Sequence, residues 1–277
     1  MLLVWMLLLS LAASAIICTV ADVFLKMSWL WIFPLCAFLV FLLLAALGFG
    51  FLLILCKGVD QSVPQEDDDP LYRKVTNLYI QSVLPVLRIH VKAQGVEKVP
   101  TDGRFLLVCN HCSLFDPIAL LRALPKSQLA FVSKQENSTM FVIGPMMHKL
   151  LCQLINREND REALKTILHC IQIVKEDKAS VAVFPEGGIL SEDGKLHHFR
   201  PGVFKIAQKA NVPIVVCTLK NTLNVIPNLL RWKRSDVLVS VLEVIPAEEL
   251  KGVTTVDIAQ RCYKLMAEDL GPDLIAE

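Results

Sequence analysis

The first 56 residues constrain this chain more than any other feature, because they hold only two charged side chains, Asp22 and Lys26. Residues 1–21 and 27–56 are uncharged runs of 21 and 30 residues. At about 1.5 Å per residue, either run is long enough as a helix to cross a hydrocarbon layer of about 30 Å. The five residues between them leave room only for a tight turn, so the pattern predicts a transmembrane helical hairpin over 1–56. Trp29 and Trp31 beside the turn suit an interfacial aromatic belt. Pro34, Gly48 and Gly50 are tolerated in a membrane helix. A signal peptide is the competing reading, since Ala13-Ser14-Ala15 imitates a cleavage site. Against it, no basic residue precedes the run, and the run continues past that site. Lys57, Arg73 and Lys74 follow the second run, whereas the turn has Lys26 alone. The positive-inside tendency therefore predicts an integral protein of the cell membrane with its remainder on the cytoplasmic side.

Residues 57–70, with Glu66-Asp67-Asp68-Asp69-Pro70, read as a solvated linker, and 71–277 as one folded domain. Outside the apolar segment the chain has 27 Lys and Arg against 26 Asp and Glu. That balance provides no basic field for nucleic acid. Nine cysteines is an odd count, and several sit inside apolar runs, where a reduced thiol behaves as a small hydrophobe. Cys109 and Cys112 bracket a histidine, but no second ligand pair stands at matching spacing, so no metal is expected.

Short apolar runs alternate with amphipathic stretches through the domain. Strands are predicted at 89–93, 105–108, 129–132, 153–155, 181–184, 214–217 and 237–244. Helices are predicted at 71–87, 117–124, 142–151, 161–175, 203–210 and 256–270. This alternation predicts an α/β fold, with a mixed, largely parallel sheet flanked by helices behind the membrane hairpin. Sites in such sheets gather at the carboxyl ends of the strands.

Three predicted strand ends carry chemistry. The first is Asn110-His111-Cys112-Ser113-Leu114-Phe115-Asp116-Pro117. Asp-Pro ahead of an apolar run predicts a helix start with Asp116 as its cap. That places a carboxylate close enough to His111 to orient it, and an oriented imidazole takes a proton from a hydroxyl near neutral pH. The second end is Leu154-Ile155-Asn156-Arg157, whose guanidinium suits a phosphate. The third is Phe184-Pro185-Glu186-Gly187-Gly188, where glycines let backbone approach a ligand closely. Together they describe a site for a phosphorylated alcohol.

Asn110-His111-x4-Asp116, Ile155-Asn156-Arg157, Phe184-Pro185-Glu186-Gly187 and Val212-Pro213-Ile214-Val215 occur in this order. They resemble the four motifs of the glycerolipid acyltransferases of the 1-acyl-sn-glycerol-3-phosphate (lysophosphatidate) acyltransferase type, over roughly residues 85–245. The resemblance implies that His111 is a general base and that Asp116 orients it. It implies that Arg157, helped by Lys134, binds the acceptor's phosphate, and that Glu186 and Gly187 line the acceptor pocket. It implies a bilayer-borne lysophosphatidic acid acceptor and an acyl-CoA or acyl carrier protein thioester as co-substrate, with no cofactor. The product is phosphatidic acid, made by direct transfer, with backbone N–H groups near 110–113 as expected donors to the oxyanion. The third motif departs from the family's usual Phe-Pro-Glu-Gly-Thr-Arg-Ser, since Gly188 and Ile189 stand at the Thr and Arg positions. Lys195, His197, His198, Arg200 and Lys205 are candidates to replace the missing cation. Rival readings are another acceptor, such as glycerol 3-phosphate or a different lysophospholipid, a catalytically silent membrane lipid-binder, and a nucleophilic Cys112 or Ser113.

Overall fold

The computed structural model describes residues 2–21, 23–25, 29–156, 158–190 and 193–276, without the side chain of Leu25. Helices α1 (Leu2–Val20) and α2 (Trp29–Lys57) pair and turn many Leu, Ile, Phe and Trp side chains outward. Both are long and apolar enough to cross a membrane. An apolar exterior of this extent is stable only where the surroundings are themselves apolar.

Helix α3 (Pro70–Val86) begins at Asp69, whose carboxylate accepts from the backbone N–H groups of Leu71 and Tyr72. It ties the hairpin to the domain. The Tyr72 hydroxyl donates to the Leu55 carbonyl and the Tyr79 hydroxyl to that of Gly48, while Leu52 and Cys56 pack on Val75. The linker is solvated only in part. Asp68 is buried, and its carboxylate pairs with Arg73 at 2.7 Å and accepts from Gln128. Arg73 also donates to the Leu129 carbonyl. A buried ion pair holds only when its remaining polar sites are filled, as these are, so the acidic run ends inside the domain.

The chain then builds β1 (Ile89–Gln94), β2 (Leu106–Cys109), α4 (Asp116–Ala123), β3 (Leu129–Lys134), α5 (Ile143–Lys149), β4 (Gln153–Ile155) and α6 (Asp160–Lys175). After these come β5 (Ser180–Val183), α7 (Lys205–Ala210), β6 (Ile214–Lys220), α8 (Val225–Leu230), β7 (Ser235–Ile245) and α9 (Thr255–Leu270). The strands form one sheet in the order β1-β7-β6-β2-β5-β3-β4, antiparallel only between β6 and β7. The mixed, largely parallel sheet expected from the alternation is the sheet that forms. Helix α8 was not anticipated, because six residues with Pro227 inside show too few turns for a period to register.

β2 is the fourth of seven strands and is covered on both faces. Leu106 and Val108 face a core that includes α6, α7 and α9, while Leu107 and Cys109 face one that includes α3 and α4. The strand is therefore apolar without alternation, as a central parallel strand must be. Because β6, β2, β5, β3 and β4 run parallel, their carboxyl ends share one rim.

Candidate active site

His111 and Asp116 meet at the end of β2. The His111 Nδ1 lies 2.8 Å from Asp116 Oδ2, and the same oxygen accepts from the backbone N–H groups of Cys112 at 2.7 Å and Ser113 at 2.9 Å. Asp116 is fully buried, and three donors converging on one oxygen hold it as an acceptor. Its Oδ1 has no hydrogen-bond partner among the described residues. Nδ1 therefore carries the proton toward Asp116, which leaves the Nε2 lone pair to act as a base. The ring stacks on Phe184 at 4.1 Å and 15°, which fixes its plane as well as its tautomer.

Two expectations are corrected by this geometry. Asp116 is the first residue inside α4, and its carboxylate turns back to the preceding loop instead of capping its own helix. Of the oxyanion donors expected near 110–113, those of residues 111, 112 and 113 are already engaged. The N–H groups of His111, Cys112 and Ser113 all donate to carboxylates, because a buried anion is stable only when donors surround it.

Glu186, just past β5, is the second buried carboxylate. Its Oε1 accepts from His111 N–H at 2.7 Å, and its Oε2 from His197 N–H at 2.9 Å. At 2% exposure it sits beneath the loop, holding that loop to the segment around His197, where the resemblance implies a pocket wall. Burial pushes its carboxyl up to about 7; the two N–H bonds oppose the shift and the Asp116 charge adds to it. The 194–200 segment is held in turn by the chain's end. Leu196 N–H donates to the Leu274 carbonyl, and Ala276 N–H donates to the Leu196 carbonyl.

Gly187 has φ +86°, and a Cβ there would stand 2.7 Å from Arg200 Nε and 3.0 Å from its Cδ. The positive φ is what calls for glycine, and the space a Cβ would take is filled by the movable Arg200 side chain. Of the five candidate replacement cations, Arg200 lays its side chain on the third motif's turn. Lys134 closes β3, two strands from β2, so at about 4.8 Å per strand it stands roughly 10 Å along the rim. Arg157 lies outside the described residues, and Ile155 ahead of it ends β4 on the same rim.

The local sequence around Asn110 points to no role for its side chain. Its side-chain oxygen accepts from Leu219 N–H at 2.7 Å, and its amide donates to the Leu219 carbonyl at 3.0 Å, clamping the loop after β2 to β6. A buried amide at the end of an all-apolar strand is the signal that was available, since such a group must find partners. The fourth motif enters β6, where Ile214 and Val215 are buried beside Leu106 and Leu107 at the amino end of β2, so it packs the sheet's core away from the rim. Cys112 Sγ rests between the Asn110 amide and the Gly194 carbonyl, and burial, then the Asp116 charge, push its thiol up to about 12. A thiol so protonated is no nucleophile at neutral pH.

Residues 90–220 match the family model described as Acyltransferase. The chain is 35% identical over 147 residues to the chloroplastic 1-acyl-sn-glycerol-3-phosphate acyltransferase BAT2 of Brassica napus, an overlap of 53% of this chain and 41% of that one. It is 26% identical over 187 residues to the 1-acyl-sn-glycerol-3-phosphate acyltransferase of Saccharomyces cerevisiae, covering 67% of this chain and 61% of that one. The chain thus spans about half the length of the curated relatives it matches. In fold it resembles the crystal structure of the 1-acyl-sn-glycerophosphate acyltransferase PlsC from Thermotoga maritima, with a TM-score of 0.60 and 23% identity over 80% of this chain and 87% of that one. The His111–Asp116 pair lies within residues 90–220, the segment that matches the Acyltransferase family model.

Proposed function

We propose that the protein transfers a fatty acyl group from an acyl-CoA or acyl carrier protein thioester to the 2-hydroxyl of 1-acyl-sn-glycerol 3-phosphate, giving phosphatidic acid. The observation that carries this reading is the His111 ring, tautomer-set by Asp116 and plane-set by Phe184, with no partner for Nε2 among the described residues. Nε2 takes the acceptor's hydroxyl proton as the oxygen attacks the thioester carbonyl. The tetrahedral intermediate collapses with cleavage of the C–S bond, and the imidazolium returns the proton to the leaving sulfur. The thiolate is a good leaving group, so base catalysis and positioning carry most of the barrier reduction. With the amides of 111–113 engaged, the imidazolium is the positive charge closest to the developing oxyanion. Lys134 on the rim binds the acceptor's phosphate together with Arg157, which the resemblance assigns to it, and with Arg200, which replaces the arginine absent from the third motif. The hairpin holds the domain on the membrane, on its cytoplasmic side, where a bilayer-borne acceptor meets a water-soluble thioester.

The test is turnover of radiolabelled acyl-CoA or acyl carrier protein thioester by the purified full chain in lipid vesicles. Lysophosphatidate, glycerol 3-phosphate and lysophosphatidylcholine are supplied separately. Labelled phosphatidic acid is expected only with lysophosphatidate, and His111→Ala is expected to lower kcat by at least about 10³-fold. Turnover on another acceptor would reassign the substrate. No turnover on any acceptor would leave a lipid-binding domain.

A further inference from the structure

Loop and helix residues 221–234 leave β6 at the same rim as His111 and present an unusual surface. Leu230 is 84% exposed and Trp232 62%, with Ile226 exposed on the preceding turn. Arg231 and Lys233 flank the tryptophan, are exposed, and have no ion-pair partner among the described residues, whereas Arg234 is paired with Asp236. This tip is held firmly. Trp232 and Lys233 N–H groups donate to the Leu229 and Asn228 carbonyls, and Arg88 donates to the Trp232 carbonyl. Trp232 itself sits at φ +52°, a costly conformation for a bulky residue, with its ring still facing out. Backbone strain that presents an apolar ring to water calls for something to cover the ring.

The position of the tip says what covers it. Arg88 links it to the end of α3, where Val83 and Val86 are exposed. Along α3, Tyr72 stands level with Leu55 of α2, and Tyr79 with Gly48. Helix α3 therefore advances toward the interior of the apolar hairpin as it approaches the rim. From Tyr79 to Val86 it rises about another 10 Å in that direction. The α8 tip lies at the far end of this path, where the lipid that surrounds the hairpin is within reach. Tryptophan and leucine seat at the headgroup boundary, and unpaired cations beside them match an anionic leaflet.

We propose that the 226–233 tip, with Val83 and Val86 of α3, is a second membrane contact that seats the catalytic rim on an anionic lipid surface. It rests on the hairpin lying in a membrane and is independent of which acceptor is acylated.

The test uses the full chain with Trp5→Phe, Trp29→Phe and Trp31→Phe, which leaves Trp232 as its single tryptophan. The protein is reconstituted in vesicles of phosphatidylcholine with phosphatidylglycerol that carry nitroxides at shallow acyl positions. Trp232 emission is expected to be blue-shifted, quenched by the lipid nitroxide and insensitive to aqueous iodide. Arg231→Glu with Lys233→Glu is expected to weaken the nitroxide quenching about threefold, as is omission of phosphatidylglycerol. Quenching by iodide alone would overturn the proposal. Shielding from both quenchers would also overturn it, by showing that a second copy of the chain covers the tip. The readout needs no turnover, so its failure is distinguishable from failure of the acyltransferase reading.

Discussion

The loop after β2 and the turn after β5 each contribute one buried carboxylate to the same histidine, and the two are used differently. Asp116 places three donors, one of them the imidazole, on a single oxygen. Glu186 places one backbone N–H on each oxygen and, among the described residues, touches no side chain by hydrogen bond. The first sets the tautomer and direction of the ring. The second sets where the backbone that carries the ring lies, and joins it to a segment fastened by the chain's end. A carboxylate next to a base is therefore not by that fact part of the proton-transfer machinery. The atoms it binds decide what it does.

Exchanging the oxygens that distinguish the two carboxylates tests the comparison most severely. Asp116→Asn keeps the volume but no longer commits Nδ1 to donating, and kcat is expected to fall about 10³-fold with little change in acceptor KM. A loss below tenfold would show that the ring needs no partner. Glu186→Gln removes only one of two backbone bonds, and about tenfold loss in kcat is expected, again without a KM change. A rise in acceptor KM with kcat preserved would return Glu186 to the pocket wall that the resemblance implies.

The pH dependence sharpens the same contrast. The groups that face Glu186 are Asp116 of α4, His111 and Cys112 of the loop, Cys109 of β2, His197 of the 194–200 segment and Tyr263 of α9. Its folded-state value of about 7 lies above the ordinary 4.5. Folding therefore takes up a proton between those values, and stability falls as pH rises from about 4.5 to 7. Activity needs both oxygens as acceptors, so it rises as pH climbs through the folded-state value of about 7. Glu186→Gln is expected to lose this opposition: the part of the fall in unfolding midpoint between pH 5 and 7 that Glu186 causes, measured in detergent, disappears.

Asn110→Ala leaves the N–H and carbonyl of Leu219 unpaired in the core and is expected to cost about 1–3 kcal/mol, read as a lowered thermal midpoint. The smallest effect is expected from Cys112→Ala, with kcat changed less than about threefold and no acyl-enzyme trapped in either form. A trapped acyl group lost in this variant would replace base catalysis with a covalent route.

Apolar periodicity along the chain was enough to place the hairpin, all seven strands and the longer helices, because each is written in consecutive residues. The His111–Asp116 pair was equally legible, since five positions of one loop span it. The expectation for Arg157 lies outside the described residues. Three things were decided only by tertiary structure. Glu186 is 75 positions from His111 and meets it because β5 and β2 are neighbours in the sheet. Asn110 finds Leu219 only after β6 crosses to the other side of β2. The amides of 111–113 looked available for an oxyanion until two carboxylates from separate segments claimed them. Period, charge and turn chemistry are properties of neighbours in the chain. Which donor fills which lone pair is settled by strand order, which brings together residues that no local pattern relates.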